Sequence, residues 1–161
     1  MKLIKQAVAI YLISPNNSSE FLIVKRPPND GILSNVWGLP AVVLKSGENI
    51  EEAVNRVGTE KLNTQIEALS LIGTKSSDRG DYYLILSDVE AKLIGPEPSV
   101  LKSNTINTKY VDQKWTSDYS LLIDAASKGS LCTQIILDNN KISYNIWMFH
   151  STGYQIMSSF P

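Results

Sequence analysis

The stretch "GENIEEAVNRVGTEKLN", from Gly47 to Asn63, constrains the fold more than any other part of the chain. Ile50, Ala53, Val54 and Val57 recur at i, i+3, i+4 and i+7, the spacing of one helical face. Asn49 is a favourable N-cap, Glu52 completes the pattern of a capping box, and Glu51 adds negative charge at the positive end of the helix dipole. The pattern predicts a helix ending near Leu62. A helix with one apolar stripe must bury it against another layer, and the segments around it read as strands.

Val8 to Ile13 and Phe21 to Lys25, separated by the turn formers "SPNNSSE", predict a hairpin. A loop rich in proline, "RPPNDGILSN", leads to a short strand over Trp37 to Leu44. After the helix, Ile66 to Ile72 and Tyr82 to Leu93 read as strands joined by the loop "GTKSSDRGD". In the later strand Asp88, Glu90 and Lys92 alternate with Val89, Ala91 and Leu93, which predicts one solvated face at that end. Lys109 to Trp115 is a weaker strand. Ser117 or Asp118 caps a helix through Ala126, closed by Gly129, and a short element follows from Ser130 to Leu137. The final segment reads as a strand and an irregular tail. The expected division is a main domain over 1–138 and a C-terminal extension over 139–161.

With 161 residues and 43% hydrophobic content, one domain can bury a core without disulfides. Lys and Arg number 15 against 16 Asp and Glu, so the overall field draws the chain neither to nucleic acid nor to an anionic membrane. No apolar run approaches the ~18 residues of a spanning helix. The start of the chain lacks a small-residue cleavage site, and Cys132 has no cysteine to pair with. These features lead us to expect a cytoplasmic protein. Glycine-rich phosphate loops are absent, and one histidine (His150) with one cysteine gives zinc or cysteine-histidine chemistry no support.

The order strand, loop, strand ending in "WGLP", capped helix, mixed strands and late helix resembles the Nudix hydrolase superfamily over roughly residues 5 to 128. The resemblance implies an α/β/α sandwich with a mixed β-sheet. The family's box reads G-x5-E-x7-R-E-U-x-E-E-x-G-U, with U a bulky aliphatic. Setting its first glutamate on Glu48 places its arginine on Arg56 and one glutamate on Glu60. Val42 then replaces the opening glycine, Val57 and Lys61 replace two glutamates, Gly58 replaces an aliphatic, and Asn63 replaces the last glycine.

In the family the three helix glutamates hold Mg2+ or Mn2+. Hydrolysis of a diphosphate brings water to a phosphorus surrounded by negative oxygens, so hard cations with oxygen ligands must offset that charge. On a regular helix positions 57, 60 and 61 lie within one turn and would converge; here they offer an apolar group, one carboxylate and one ammonium. The resemblance therefore implies weak metal binding, with Glu60 and Glu48 as metal candidates and Arg56 orienting Glu60 in any catalysis. A missing ligand would have to come from an acidic side chain such as Asp78, Asp81, Asp88, Glu90 or Glu97. Arg56 also lies four residues from both Glu52 and Glu60, as in a helix-surface ladder.

Lys61 has two readings. It complements the negative end of the helix, or its ammonium stands near the former metal site and pairs with a phosphate. Lys25, Arg26 and Arg79 are further candidates for phosphate contacts, and Tyr82 or Tyr83 for stacking on a base. The expected function is binding of a nucleoside diphosphate derivative or similar phosphorylated small molecule, with pyrophosphohydrolase activity weak or lost. An active hydrolase with a rearranged metal site, or an interaction module without a small ligand, are the alternatives.

Overall fold

A computed structural model describes the backbone of residues 2–150 and 153–158, and side chains over residues 2–146. Seven strands form one mixed sheet: β1 (Leu3–Ile13), β2 (Phe21–Lys25), β3 (Trp37–Gly38), β4 (Ala41–Val43), β5 (Ile66–Asp78), β6 (Tyr82–Leu93) and β7 (Asp112–Thr116). The main path runs β3-β2-β1-β6-β5, with β4 paired to β1 and β7 paired to β2. β1 is parallel to β6 from Leu3↔Tyr82 to Ile13↔Lys92. A parallel pair needs a long crossover, and the segment containing helix α1 (Ile50–Arg56) supplies it.

Alternation along β1 divides the core. Val8, Ile10 and Leu12 pack with Val54, Val57, Leu62 and Val89 on the α1 side. Ala7 and Ala9 pack with Phe21, Leu122, Ile136 and Leu137 on the other side, beneath α2 (Ile123–Ser127) and α3 (Leu131–Asn139). Burial on both faces explains why "VAIYLI" reads as a nearly continuous apolar run. The layers are those of the Nudix-type sandwich expected from the sequence.

Several local expectations change. The strand foreseen over Trp37 to Leu44 is two pieces: β3 pairs with β2, β4 pairs with β1, and the chain changes partner at Leu39-Pro40. β5 continues through most of the segment read as a loop, pairing Lys75↔Leu86 to Asp78↔Tyr83. Its polar composition suits an exposed edge strand, which gives no apolar signal. The solvated stripe expected at Asp88, Glu90 and Lys92 is also different. Asp88 is fully buried on the face that carries Leu86 and α3, and only Lys92 of the three is exposed.

The capping box forms as the sequence implies. The Asn49 side chain accepts from the Glu52 amide at 2.8 Å, and Glu52 accepts from the Asn49 amide at 3.1 Å. Glu52 is thereby occupied, and the ladder foreseen between it and Arg56 does not form. After Arg56 the helix widens into a π-turn over Val57–Lys61. A β-carbon on Gly58 would lie 3.1 Å from both the Thr64 carbonyl oxygen and an Ile66 side-chain carbon, tighter than ordinary contact, so glycine suits this close approach to the start of β5.

The late helical region opens with Asp118 accepting from the Ser120 amide at 3.0 Å and turns at Gly129, φ +99°. β8 (Asn145–His150) and β9 (Gly153–Ser158) form an antiparallel pair. Ile142, Tyr144 and Ile146 pack onto the core beneath α2 and α3. The side chain of His150 lies outside the described residues. Among the described residues no helix is long and apolar enough to cross a membrane.

Candidate functional site

Arg56 organises the polar end of α1. Its Nε donates to Glu48 Oε2 at 2.9 Å, Nη2 to Glu48 Oε1 at 2.9 Å and to the Val43 carbonyl at 2.7 Å, and Nη1 to Glu60 Oε2 at 3.1 Å. This fork pins the helix to β4 and holds Glu60 at the same time. Glu48 also accepts from the Lys45 amide at 3.0 Å. The Arg56 guanidinium holds the Glu48 carboxyl well below the ordinary range, at about 2, against a smaller opposing effect of burial.

The three box positions in the π-turn have different surroundings. Val57 is 0% exposed and joins the α1-side core. Glu60 is partly exposed beside Arg56, with Lys45 Nζ 3.9 Å from its other oxygen. Lys61 is 4% exposed, and its ammonium donates to the carbonyls of Asn107 and Thr108, the latter at 3.1 Å. The ammonium thus meets the 105–110 loop and not the carbonyls of its own helix end. It also lies 5.6 Å from the centre of the Tyr110 ring. Burial lowers the Lys61 pKa, while Glu60 opposes that shift.

Glu60 and Lys61 border a cavity of about 520 Å³. Its cationic wall is Lys5, Arg26, Lys45, Arg56 and Lys61; Glu60 is the carboxylate on it. Tyr82 and Tyr110 add aromatic surface, and Thr105 and Thr108 add polar atoms. Lys5 Nζ stands 4.2 Å from the centre of the Tyr82 ring. Arg26 Nε donates to Asp30. Tyr110 is buried, its hydroxyl accepting from the Ala41 amide at 3.0 Å, and burial pushes its pKa to about 12. Thr108 has φ +40°, a left-handed backbone that is costly for a β-branched residue, next to its contact with Lys61.

Of the residues singled out in the sequence, Arg26, Arg56, Glu60, Lys61 and Tyr82 meet at this cavity. Glu48 stands behind Arg56. Lys25 does not reach it: its ammonium, with that of Lys114, sits over the Trp37 ring. Arg79 is elsewhere too, its Nη2 donating to the Gly129 carbonyl at 2.9 Å. Lys5, Lys45 and Tyr110 are cavity residues that sequence reasoning missed. They come from one strand and two loops, and no sequence spacing connects them.

The donors present do not fit a divalent cation. Among the described residues no three His, Cys, Asp or Glu side chains are grouped to hold a metal. Both Glu48 oxygens accept from Arg56, one Glu60 oxygen does so as well, and the Lys61 ammonium occupies the same region. A hard cation requires several free oxygens, and this site offers it cations instead.

No protein-family model matches the chain, and no curated protein matches it by sequence. Solved structures do match in shape. The MutT protein from Methanosarcina mazei Go1 superposes with a TM-score of 0.65 at 13% identity, covering 87% of this chain and 95% of that one. A Nudix hydrolase from Nitrosomonas europaea gives 0.64 at 18% identity, covering 85% and 88%. An ADP-ribose pyrophosphatase from Streptococcus suis gives 0.55 at 14% identity, covering 85% and 92%. The chain has the Nudix fold; at these identities the likeness speaks for the fold alone.

Proposed function

We propose that this Nudix-fold chain is a cytoplasmic protein that binds a nucleoside diphosphate derivative or a similar phosphorylated small molecule, with pyrophosphohydrolase activity weak or lost. The observation that carries this reading is the cavity wall, five cations against one carboxylate, at the end of the helix that carries the degenerate box. Its volume of about 520 Å³ is in the range of small-molecule sites. Lys61 and Arg26 act on the phosphates. Arg56 positions Glu60 and joins the cationic wall, and Tyr82 offers a face to a base.

Weak or absent hydrolysis follows from the ligand set. Position 57 is a core valine and position 61 a buried lysine, which leaves Glu60 as the box carboxylate facing the cavity. Glu60 also keeps the second reading open, an active hydrolase whose other ligands come from outside the box.

The two readings separate in one experiment. A panel of nucleoside diphosphate derivatives, ADP-ribose included, is tested for turnover with Mg2+ and Mn2+ and for thermal stabilisation, with Glu60→Gln alongside. We expect a rise in Tm from mass action with some of the panel, and little or no turnover. Metal-dependent turnover that disappears in Glu60→Gln would establish the hydrolase instead. Neither stabilisation nor turnover would leave the fold as an interaction module.

A further inference from the structure

The charges around the cavity can be followed one by one. Five cations line it, and three carboxylates are paired with them: Asp30 with Arg26, Glu48 with Arg56, and Glu60 shared between Arg56 and Lys45. Five against three leaves a surplus of two positive charges. Among the described residues Lys5 and Lys61 take part in no ion pair. What they meet instead are the Tyr82 ring for Lys5, and two carbonyls with the Tyr110 ring for Lys61. An ammonium has three donors, and the two carbonyls occupy two of those on Lys61, leaving one for a ligand.

We infer that the cavity takes its phosphorylated ligand as the free polyanion and not as its Mg2+ complex, with Lys61 and the surrounding cations neutralising the phosphates, so that Mg2+ opposes binding. This rests on the reading of the cavity as a phosphate site. A free diphosphate carries several negative charges, enough to balance the two surplus cations. Chelation removes two of those charges and occupies oxygens that the lysines and arginines would otherwise contact. It also brings a dication towards Lys61 and Arg56, and repulsion between like charges is stronger away from bulk water. A site built on helix carboxylates has the opposite preference, because there the metal bridges two sets of negative oxygens.

The test is isothermal titration of the full chain with inorganic pyrophosphate and with ADP, in EDTA and again with enough Mg2+ to saturate the probe. Ionic strength is held constant so that screening does not imitate the effect. Binding of at least one probe in EDTA, weakened at least about threefold by Mg2+, is the expected result. A smaller weakening, no change, or tighter binding with Mg2+ would overturn the inference and leave the phosphate-site reading intact. Binding of neither probe under either condition, confirmed by equilibrium dialysis, would overturn that reading and this inference with it.

Discussion

Lys61 and Asp88 are both buried ionisable groups, 4% and 0% exposed, and they are treated in opposite ways. Lys61 borders a cavity and donates to two carbonyls. Asp88 lies on the sheet face beneath α3, and among the described residues neither of its carboxyl oxygens has a hydrogen-bond partner. Burial pushes its pKa up to about 9, and burial likewise raises that of Cys132, with Asp88 contributing. Burial alone therefore marks a cost in stability. Burial combined with partners and a cavity wall is the arrangement on which the proposed phosphate role of Lys61 rests.

The largest effect is expected at Asp88. Its folded pKa lies above the unfolded value of 3.8, so the folded state binds the extra proton. Stability falls as pH rises from about 4 to about 9, where the unfolded chain is ionised and the folded one is not. Asp88→Asn keeps the shape and removes this titration. It should raise stability by about 2–4 kcal/mol near pH 8 and flatten the decline, as denaturant melts across that range would show. An unchanged pH profile would mean that Asp88 ionises freely in the fold.

Arg56→Ala should have the next largest effect. It leaves Glu48, whose side chain is 12% exposed, without its fork, at a cost of about 2–3 kcal/mol. Glu48 has its pKa lowered from 4.5 to about 2, so its contribution is full above pH 4.5 and is lost as pH falls through 2. Acid melts of the variant should lack that limb. Gly58→Ala is expected to cost about 1–3 kcal/mol, because the added carbon meets the Thr64 carbonyl and Ile66 at 3.1 Å. Asn49→Ala removes the cap alone and should cost about 1 kcal/mol with no change in ligand binding. Thermal melts with and without pyrophosphate would separate these last two from any effect on the site.

What the sequence made legible was local. Asn49 and Glu52 announce the start of α1 because a capping box involves residues only three apart. The hairpin of β1 and β2 is written in its turn residues, and Arg56 with Glu60 in their spacing of four. The π-turn could not be read, because it accompanies the close approach of Gly58 to Thr64 and Ile66. Lys25 and Arg26 looked alike in sequence, yet one sits over Trp37 and the other borders the cavity. Lys5, Lys45, Lys61 and Tyr110 meet only once β1, the loop after β4, the helix end and the 105–110 loop are assembled. Asp88 fitted a polar stripe by alternation, and it is buried only because α3 packs over that end of the strand.

If the buried Lys61 ammonium serves a phosphate, as proposed, replacing it with a neutral side chain of similar length should weaken phosphate binding. Lys61→Met exchanges a buried charge for an apolar group and loses the hydrogen bonds to the Asn107 and Thr108 carbonyls; the two effects oppose each other, and a thermal melt checks that the variant is folded. Its affinity for pyrophosphate in EDTA, measured by isothermal titration, should fall at least about tenfold, the loss expected for one partly desolvated charged contact. A folded Lys61→Met that binds pyrophosphate within about twofold of the natural chain would contradict the account, for the lysine would then be only part of the packing.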